Sequence, residues 1–341
     1  MARMRRSLKR QEVGELMADA AAKALGWVQG HREDFNPLAH ASVPRLKFAI
    51  KAAAELALLC SIACTRRRGC GIHQAYRDLA AELWHGFFVH EPTREYLLDN
   101  PTGLPLLSLY SALYRCGYDD ASYRSRLIEL LRDGYVAAGE RPPAGQLDFL
   151  YGLQVAGFEY RSHWAGGLEL SLESGYRRSL LSSRPSVYHL TTPDVYAMTH
   201  VAFFATDFGA ALPDFFSADD REYFDAAMPR LLEFYVRKGN WDLTAELLIV
   251  LRCLGVSSDR EVHEGWLLML AAQNADGGFP GPVTDEIRGY GEEQGPAAAG
   301  SGVAPGEPSV DGNWIDFRDN YHTTLAVLLA VEVEESVAGG R

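Results

Sequence analysis

Three ionisable residues occupy the same place in three apolar segments of this chain. Asp148 in QLDFLYGLQVAG, His200 in DVYAMTHVAFFATDFG and Glu246 in WDLTAELLIVLRCLG each lie nine residues before a glycine: Gly157, Gly209 and Gly255. The same count back from Gly117 reaches Ser108, and from Gly69 it reaches Cys60. An unpaired carboxylate in an apolar interior costs several kcal/mol, so such residues normally face partners, water or a metal. A buried carboxylate beside an imidazole is suited to moving protons. With His322 these residues form the core of a candidate catalytic set. The same four side chains (His200, His322, Glu246 and Asp148) could also hold zinc or iron with an open position. No HExxH spacing marks such a site, and proton transfer is taken ahead of the metal. Nucleophilic catalysis has little support, because no GxSxG is present and Cys60 has no visible activating partner.

A second polar layer falls at helix starts. Thr192-Pro193-Asp194, Asn240-Trp241-Asp242 and Asp319-Asn320-Tyr321-His322 each open an apolar segment. Asp194 and Asp242 join the catalytic candidates at a rim, with His189 in the preceding loop SRPSVYHLTTPD. The bland reading of both aspartates is helix initiation, since an acidic first turn suits the helix dipole. Asp207, two residues before Gly209, is assigned to the opposite end, bonded to backbone or to an arginine.

Positioning these residues requires helices. Apolar periodicity is helical from end to end and no strand pattern occurs. Twelve helices are expected, at 11–29, 43–65, 73–89, 103–116, 121–139, 145–157, 166–182, 193–207, 218–238, 241–254, 258–273 and 319–336. Segments apolar on nearly every face alternate with amphipathic, charged ones such as DDREYFDAAMPRLLEFYVRKG. The first kind is buried and the second covers it. The terminal glycines, suited to a left-handed helix end, are 40, 52 and 46 residues apart from Gly117 to Gly255, a helical-hairpin repeat. Six inner and about six outer helices are the count needed to close a double ring. The expected fold is therefore all-α, one α/α-toroid domain over 1–341.

The segment QNADGGF, Gln273 to Phe279, is followed by Pro280 and Gly281. It resembles the Q-x-x-D-G-G/S-F/W repeat of the α/α-toroid superfamily, which includes terpenoid cyclases and protein prenyltransferase β-subunits. The resemblance implies that the glutamine caps the end of an outer helix and that the Asp-Gly turn leads back to the next inner one. The D-x-D-D and D-D-x-x-D acid motifs, the spaced Asp, Cys and His zinc ligands of the prenyltransferases and the Cys and Cys-His set of the lanthionine cyclases have no counterpart here. The resemblance thus implies a fold and carries over no active-site residue.

Composition narrows the partners. A net charge of −12 on 341 residues argues against nucleic acid. Lys51 and Glu55 interrupt the apolar run FAIKAAAELALLCSIAC, which reads as a core helix rather than a membrane span. Five cysteines without a CxxC pair point to a reducing, cytoplasmic setting. A basic arm at 1–10 and a flexible loop at 281–318 are expected, with VDGNWIDFRDN at the end of that loop docking beside the ring mouth. The function expected is an enzyme of specialised, natural-product metabolism acting on a small organic or peptidyl substrate in the ring's cavity. Its reaction would be cyclisation, elimination or another acid–base proton transfer. The alternatives are a non-catalytic helical binding or scaffold protein, and a carbohydrate-active enzyme using Asp148 and Glu246 as paired carboxylates about 5–10 Å apart.

Overall fold

The computed structural model describes residues 10–40, 43–66, 71–90, 93, 104–132, 141–158, 171–282 and 312–339. Among them every regular element is helical and no strand occurs, so the chain is all-α. The helices are α1 (Arg10–Gly30), α2 (Val43–Arg66), α3 (Gly71–Leu83), α4 (Leu104–Arg115), α5 (Ala121–Arg132), α6 (Pro143–Val155), α7 (Leu172–Arg177), α8 (Leu180–Ser183), α9 (Thr192–Ala205), α10 (Ala218–Lys238), α11 (Trp241–Cys253), α12 (Asp259–Leu270) and α13 (Gly312–Gly339). The N-terminal arm up to Lys9 and residues 283–311 of the expected loop lie outside the described residues.

The apolar helices pack on one another in order. α2 packs on α4, α4 on α6, α6 on α9, α9 on α11 and α11 on α13, and α13 returns to α2. The amphipathic helices cover this series: α3 lies on α2, α10 and α12 on α11, and α1 on α13 and α12. Sequence explains the sorting. In α11 all but two of the thirteen side chains are buried, whereas α10 buries Asp220 in its first turn and a stripe of Phe224, Ala227, Met228, Leu231, Leu232, Tyr235 and Val236, with most of the rest facing solvent. Residues 46–65 of α2 have the length and apolarity of a membrane-crossing segment, and 67% of that window is buried inside the protein.

The terminal glycines behave as their spacing suggests. Gly117, Gly157 and Gly255 have φ of 101°, 69° and 68°. The following residue in each case donates its N–H back across six residues, Tyr118 to Leu113, Phe158 to Leu153 and Val256 to Leu251, at 3.0, 2.9 and 2.9 Å. This is the Schellman closure, in which the left-handed residue turns the chain and satisfies the last carbonyls. α9 ends differently. Asp207, Phe208 and Gly209 are all left-handed (48°, 55° and 85°), and the six-residue bond runs from Phe208 to Phe203. The residue in the glycine's place is therefore Asp207, two earlier than the count from Gly209 assumes.

Three expected helices differ from the observed ones. Of the segment 166–182, residues 166–170 lie outside the described residues and the remainder is two short helices, because Ser171 and Ser179 each cap a new start through the N–H groups of Ser174 and Ser182. The segment 73–89 leaves α-geometry at Trp84, where a π-helical turn to Phe88 stacks those two rings 4.9 Å apart. The final helix begins at Gly312 rather than 319, so VDGNWIDFRDN is mostly helix and not loop. Trp314, Phe317 and Tyr321, three and four residues apart, form one buried aromatic stripe against Phe35 and Phe48.

The QNADGGF turn joins three elements. Gln273 donates to the carbonyls of Ala20 in α1 and Gly277, both at 2.9 Å. The Phe279 N–H donates to Thr324 of α13 at 2.9 Å. Glycine is obligatory beyond it, because a Cβ on Gly281 would sit 1.9 Å from the carbonyl oxygen of Asp319.

Candidate functional site

Five helices bring ionisable side chains to one place, and each does so by helical spacing. On α11, Asp242 and Glu246 are four residues apart and share a face. Four residues also separate Lys51 from Glu55 on α2 and Tyr196 from His200 on α9, where Thr199 lies beside them. α13 contributes His322 and Thr323, and α6 contributes Asp148. Because α13 starts seven residues earlier than expected, His322 stands in its third turn rather than at its N-terminus.

Glu246 is at the centre. Its Oε1 lies 3.7 Å from His200 Nε2 and 3.5 Å from His322 Nε2. Its other oxygen, Oε2, accepts from the Thr199 hydroxyl. Asp242 is held from two sides, accepting at Oδ2 from the Tyr196 hydroxyl (2.6 Å) and at Oδ1 from Thr323 (3.1 Å). His322 Nε2 is also 3.6 Å from Asp242 Oδ2. The opposite imidazole nitrogen, Nδ1, is within hydrogen-bond distance of Glu55 Oε2 at 3.1 Å. Lys51 stands 3.6 Å from the other Glu55 oxygen. At the edge of the group, Asp148 accepts from Ser108 of α4 at 3.3 Å.

Burial grades the cluster. Asp242 and Glu246 side chains are about fully enclosed, at 2% and 3% exposure, whereas those of His200 and His322 keep 40% and 33%. The carboxylates form the floor and the imidazoles the accessible surface.

The electrostatics follow from that arrangement. Burial pushes Glu246 up, but the two imidazoles outweigh it and hold its carboxyl low, near 2. Burial likewise opposes ionisation of Glu55, and Lys51 and His322 bring it down to about 2. For His200 and His322 burial favours the neutral ring, yet the surrounding carboxylates raise both, His322 the more strongly. Asp148 goes the other way: burial lifts it to about 6, only partly opposed by His200 and the Ser108 hydrogen bond. Asp242 is also raised by burial, against the pull of His322.

The structure thus brings together His200, Glu246, His322, Asp242 and Asp148. Asp242 is part of the cluster and not of a separate rim, since one helical turn places it beneath Glu246. Asp194 instead forms a capping box with Thr191, accepting from its N–H at 2.8 Å and its hydroxyl at 2.6 Å. His189 is exposed at the end of a 3-10 turn and makes no hydrogen bond or ion pair with the cluster. Cys60 is a buried core residue of α2, and the member that α2 supplies is Glu55. That residue was visible in the sequence as a carboxylate inside an apolar run, four residues from a lysine. Ser108, Tyr196, Thr199 and Thr323 carry no comparable signal, because hydroxyls inside helices are common and bond to the preceding turn as readily.

Three of these groups could hold a metal. Ligand atoms of Asp242, Glu246 and His322 all lie within 4.8 Å of one another.

No curated protein and no solved structure matches the chain. A family model described as a domain of unknown function (DUF6895) matches residues 21–331, a span that runs from within α1 to within α13 and includes every member of the cluster. The chain belongs to the DUF6895 family.

Proposed function

We propose that the chain is an acid–base enzyme that processes a small organic or peptidyl substrate in the cavity of an α/α-toroid. The reaction class is a lyase- or cyclase-like proton transfer. Support for the toroid comes from the packing order of the six apolar helices, which returns from α13 to α2, and from the amphipathic helices lying outside that series. The observation that carries the functional reading is the flanking of one buried carboxylate, Glu246, by two imidazoles that keep accessible surface. A structural ion pair has no need of two accessible histidines on one carboxylate, whereas a group that must meet a substrate does. In this reading His200 and His322 exchange protons with the substrate, Glu246 and Asp242 orient them, and Asp148 is a second acid beside His200.

Incubation of the full chain with cellular metabolite extracts, compared by mass spectrometry with His200→Ala and Asp148→Asn proteins of matched thermal stability, tests this. The expected result is depletion of one or more small molecules by the wild-type chain and by neither variant. Identical extracts for all three would leave a binding or scaffold role in its place.

A further inference from the structure

The distances around Glu246 are unusual for a polar cluster. His322 Nε2 to Glu246 Oε1, His322 Nε2 to Asp242 Oδ2 and His200 Nε2 to Glu246 Oε1 measure 3.5, 3.6 and 3.7 Å. All three exceed a hydrogen bond between nitrogen and oxygen, which prefers about 2.9 Å. Other groups in the same cluster do reach ordinary distances, as Tyr196 to Asp242 at 2.6 Å shows. Crowding therefore does not force the gaps.

The two that involve His322 match another geometry. Ligands about 2.0–2.1 Å from a zinc-class cation in tetrahedral array stand about 3.4 Å apart. The orientation agrees as well. A metal-binding histidine commonly gives its second nitrogen to a carboxylate, which fixes the ring. His322 meets Glu55 through Nδ1 at 3.1 Å and turns Nε2 inward. Glu246 engages Thr199 through Oε2, and its Oε1 faces the two imidazoles at 3.5 and 3.7 Å although the side chain is 3% exposed. The inward Nε2 of His322 and Oε1 of Glu246 face each other across the gap, whereas Asp242 Oδ2 accepts from Tyr196 and would offer its second lone pair.

We propose that Asp242, Glu246 and His322 bind one divalent transition-metal cation of the zinc class, with Glu55 as the residue that positions His322. An imidazole with two carboxylates suits zinc, iron or manganese better than magnesium, which favours an all-oxygen shell. His200 approaches Glu246 alone and stands beside the open face of the metal, where a substrate would enter. This rests on the reading of the same cluster as a reaction centre, but it concerns binding and can fail separately.

The test uses the full chain, stripped with a chelator and titrated with zinc by calorimetry and with cobalt by visible absorption. The expected result is saturation at one equivalent per chain, with the ligand-field bands of low-coordinate cobalt and no displacement by equimolar magnesium. Glu246→Gln and His322→Ala should weaken binding at least about 100-fold, and Glu55→Gln about 10–100-fold, the usual effect of losing a group behind a ligand. Asp148→Asn should bind as the wild type does. No saturable binding to the folded wild-type chain overturns the proposal, a result independent of how the variants fold. Undiminished binding in Glu246→Gln also overturns it. If the chain binds no metal yet substrate depletion still requires His200, the metal fails and the acid–base reading stands. Stoichiometric metal with extracts unchanged by the wild-type chain gives the reverse.

Discussion

Two carboxylates on neighbouring apolar helices have opposite surroundings. Asp207, at the end of α9 and 35% exposed, has both oxygens bonded: Arg115 donates to them at 3.0 and 2.8 Å, and the Tyr151 hydroxyl donates to Oδ1 at 2.7 Å. Glu246, in the middle of α11, has one oxygen bonded at close range and the other facing two imidazoles at 3.7 and 3.5 Å, longer than a well-formed hydrogen bond. Both would look alike in a count of ion pairs. The fork at Asp207 has complete, bidentate geometry, as befits a contact that holds α4 to the end of α9. The gap at Glu246 leaves a place for something else. Saturation of acceptors, rather than the presence of charge, separates the Asp207 fork from the candidate site.

That contrast can be broken in four ways. Arg115→Met should be the most damaging substitution, since it strips a partly exposed Asp207 of its counter-charge and Tyr151 of a donor; a loss of about 1–3 kcal/mol in urea unfolding is expected. A loss under about 1 kcal/mol would mean that the fork is replaceable by water. Zinc at about a hundred times its Kd should raise wild-type stability by about 2.7 kcal/mol. The same increment should persist in Arg115→Met and vanish in His322→Ala, and a zinc effect that is lost with the far-end variant would erase the separation of the two regions.

The third concerns pH. Asp148 has its carboxyl raised from 3.8 to about 6 by burial, with His200 pulling it down and Glu55 pushing it up. A carboxyl that holds its proton more tightly when folded destabilises the native state as it ionises. The Asp148 contribution therefore worsens as pH rises through 4 to 6 and is fully felt above that window. Asp148→Asn should be more stable than the wild type at pH 7 by on the order of 2 kcal/mol, and the difference should disappear below about pH 4. A variant less stable than the wild type at neutral pH would place Asp148 with the structural carboxylates. The smallest effect belongs to Thr191→Ala, which removes the capping box that occupies Asp194. About 1 kcal/mol is expected, with metal uptake unchanged; altered uptake would return the start of α9 to the site.

Much of the cluster was legible in the chain because buried charge is conspicuous. Asp148, His200, Glu246 and His322 stand out as polar residues within apolar helices. Counting from glycine worked for Asp148 and Glu246, whose helices end in Schellman closures at Gly157 and Gly255. It was two residues out for α9, where Asp207 takes the left-handed position and Gly209 only extends the turn. His200 still reaches the cluster, because Tyr196, Thr199 and His200 together span the face of α9 turned toward α11. Asp242 was expected among the catalytic candidates but at a separate rim, with helix initiation as the alternative that its position in the first turn permits. Its side-chain oxygens are instead taken by Tyr196 and Thr323 from two other helices.

By itself the sequence determined what depends on local rules. These are helices from 3.6-residue periodicity, their ends from glycine and serine, buried helices from all-round apolarity, and the improbability that charges in such helices are idle. Tertiary structure alone decided what depends on distance between segments far apart in the chain. It selected Glu55 over Cys60 as the contribution of α2, turned His322 so that one nitrogen meets Glu55 and the other the Asp242–Glu246 pair, and spaced those atoms more widely than well-formed hydrogen bonds. The physical reason is one of scale. Helical periodicity fixes which face a residue occupies within one element, but whether two atoms stand 2.8 or 3.6 Å apart is set by how six helices pack together, and no local pattern encodes that.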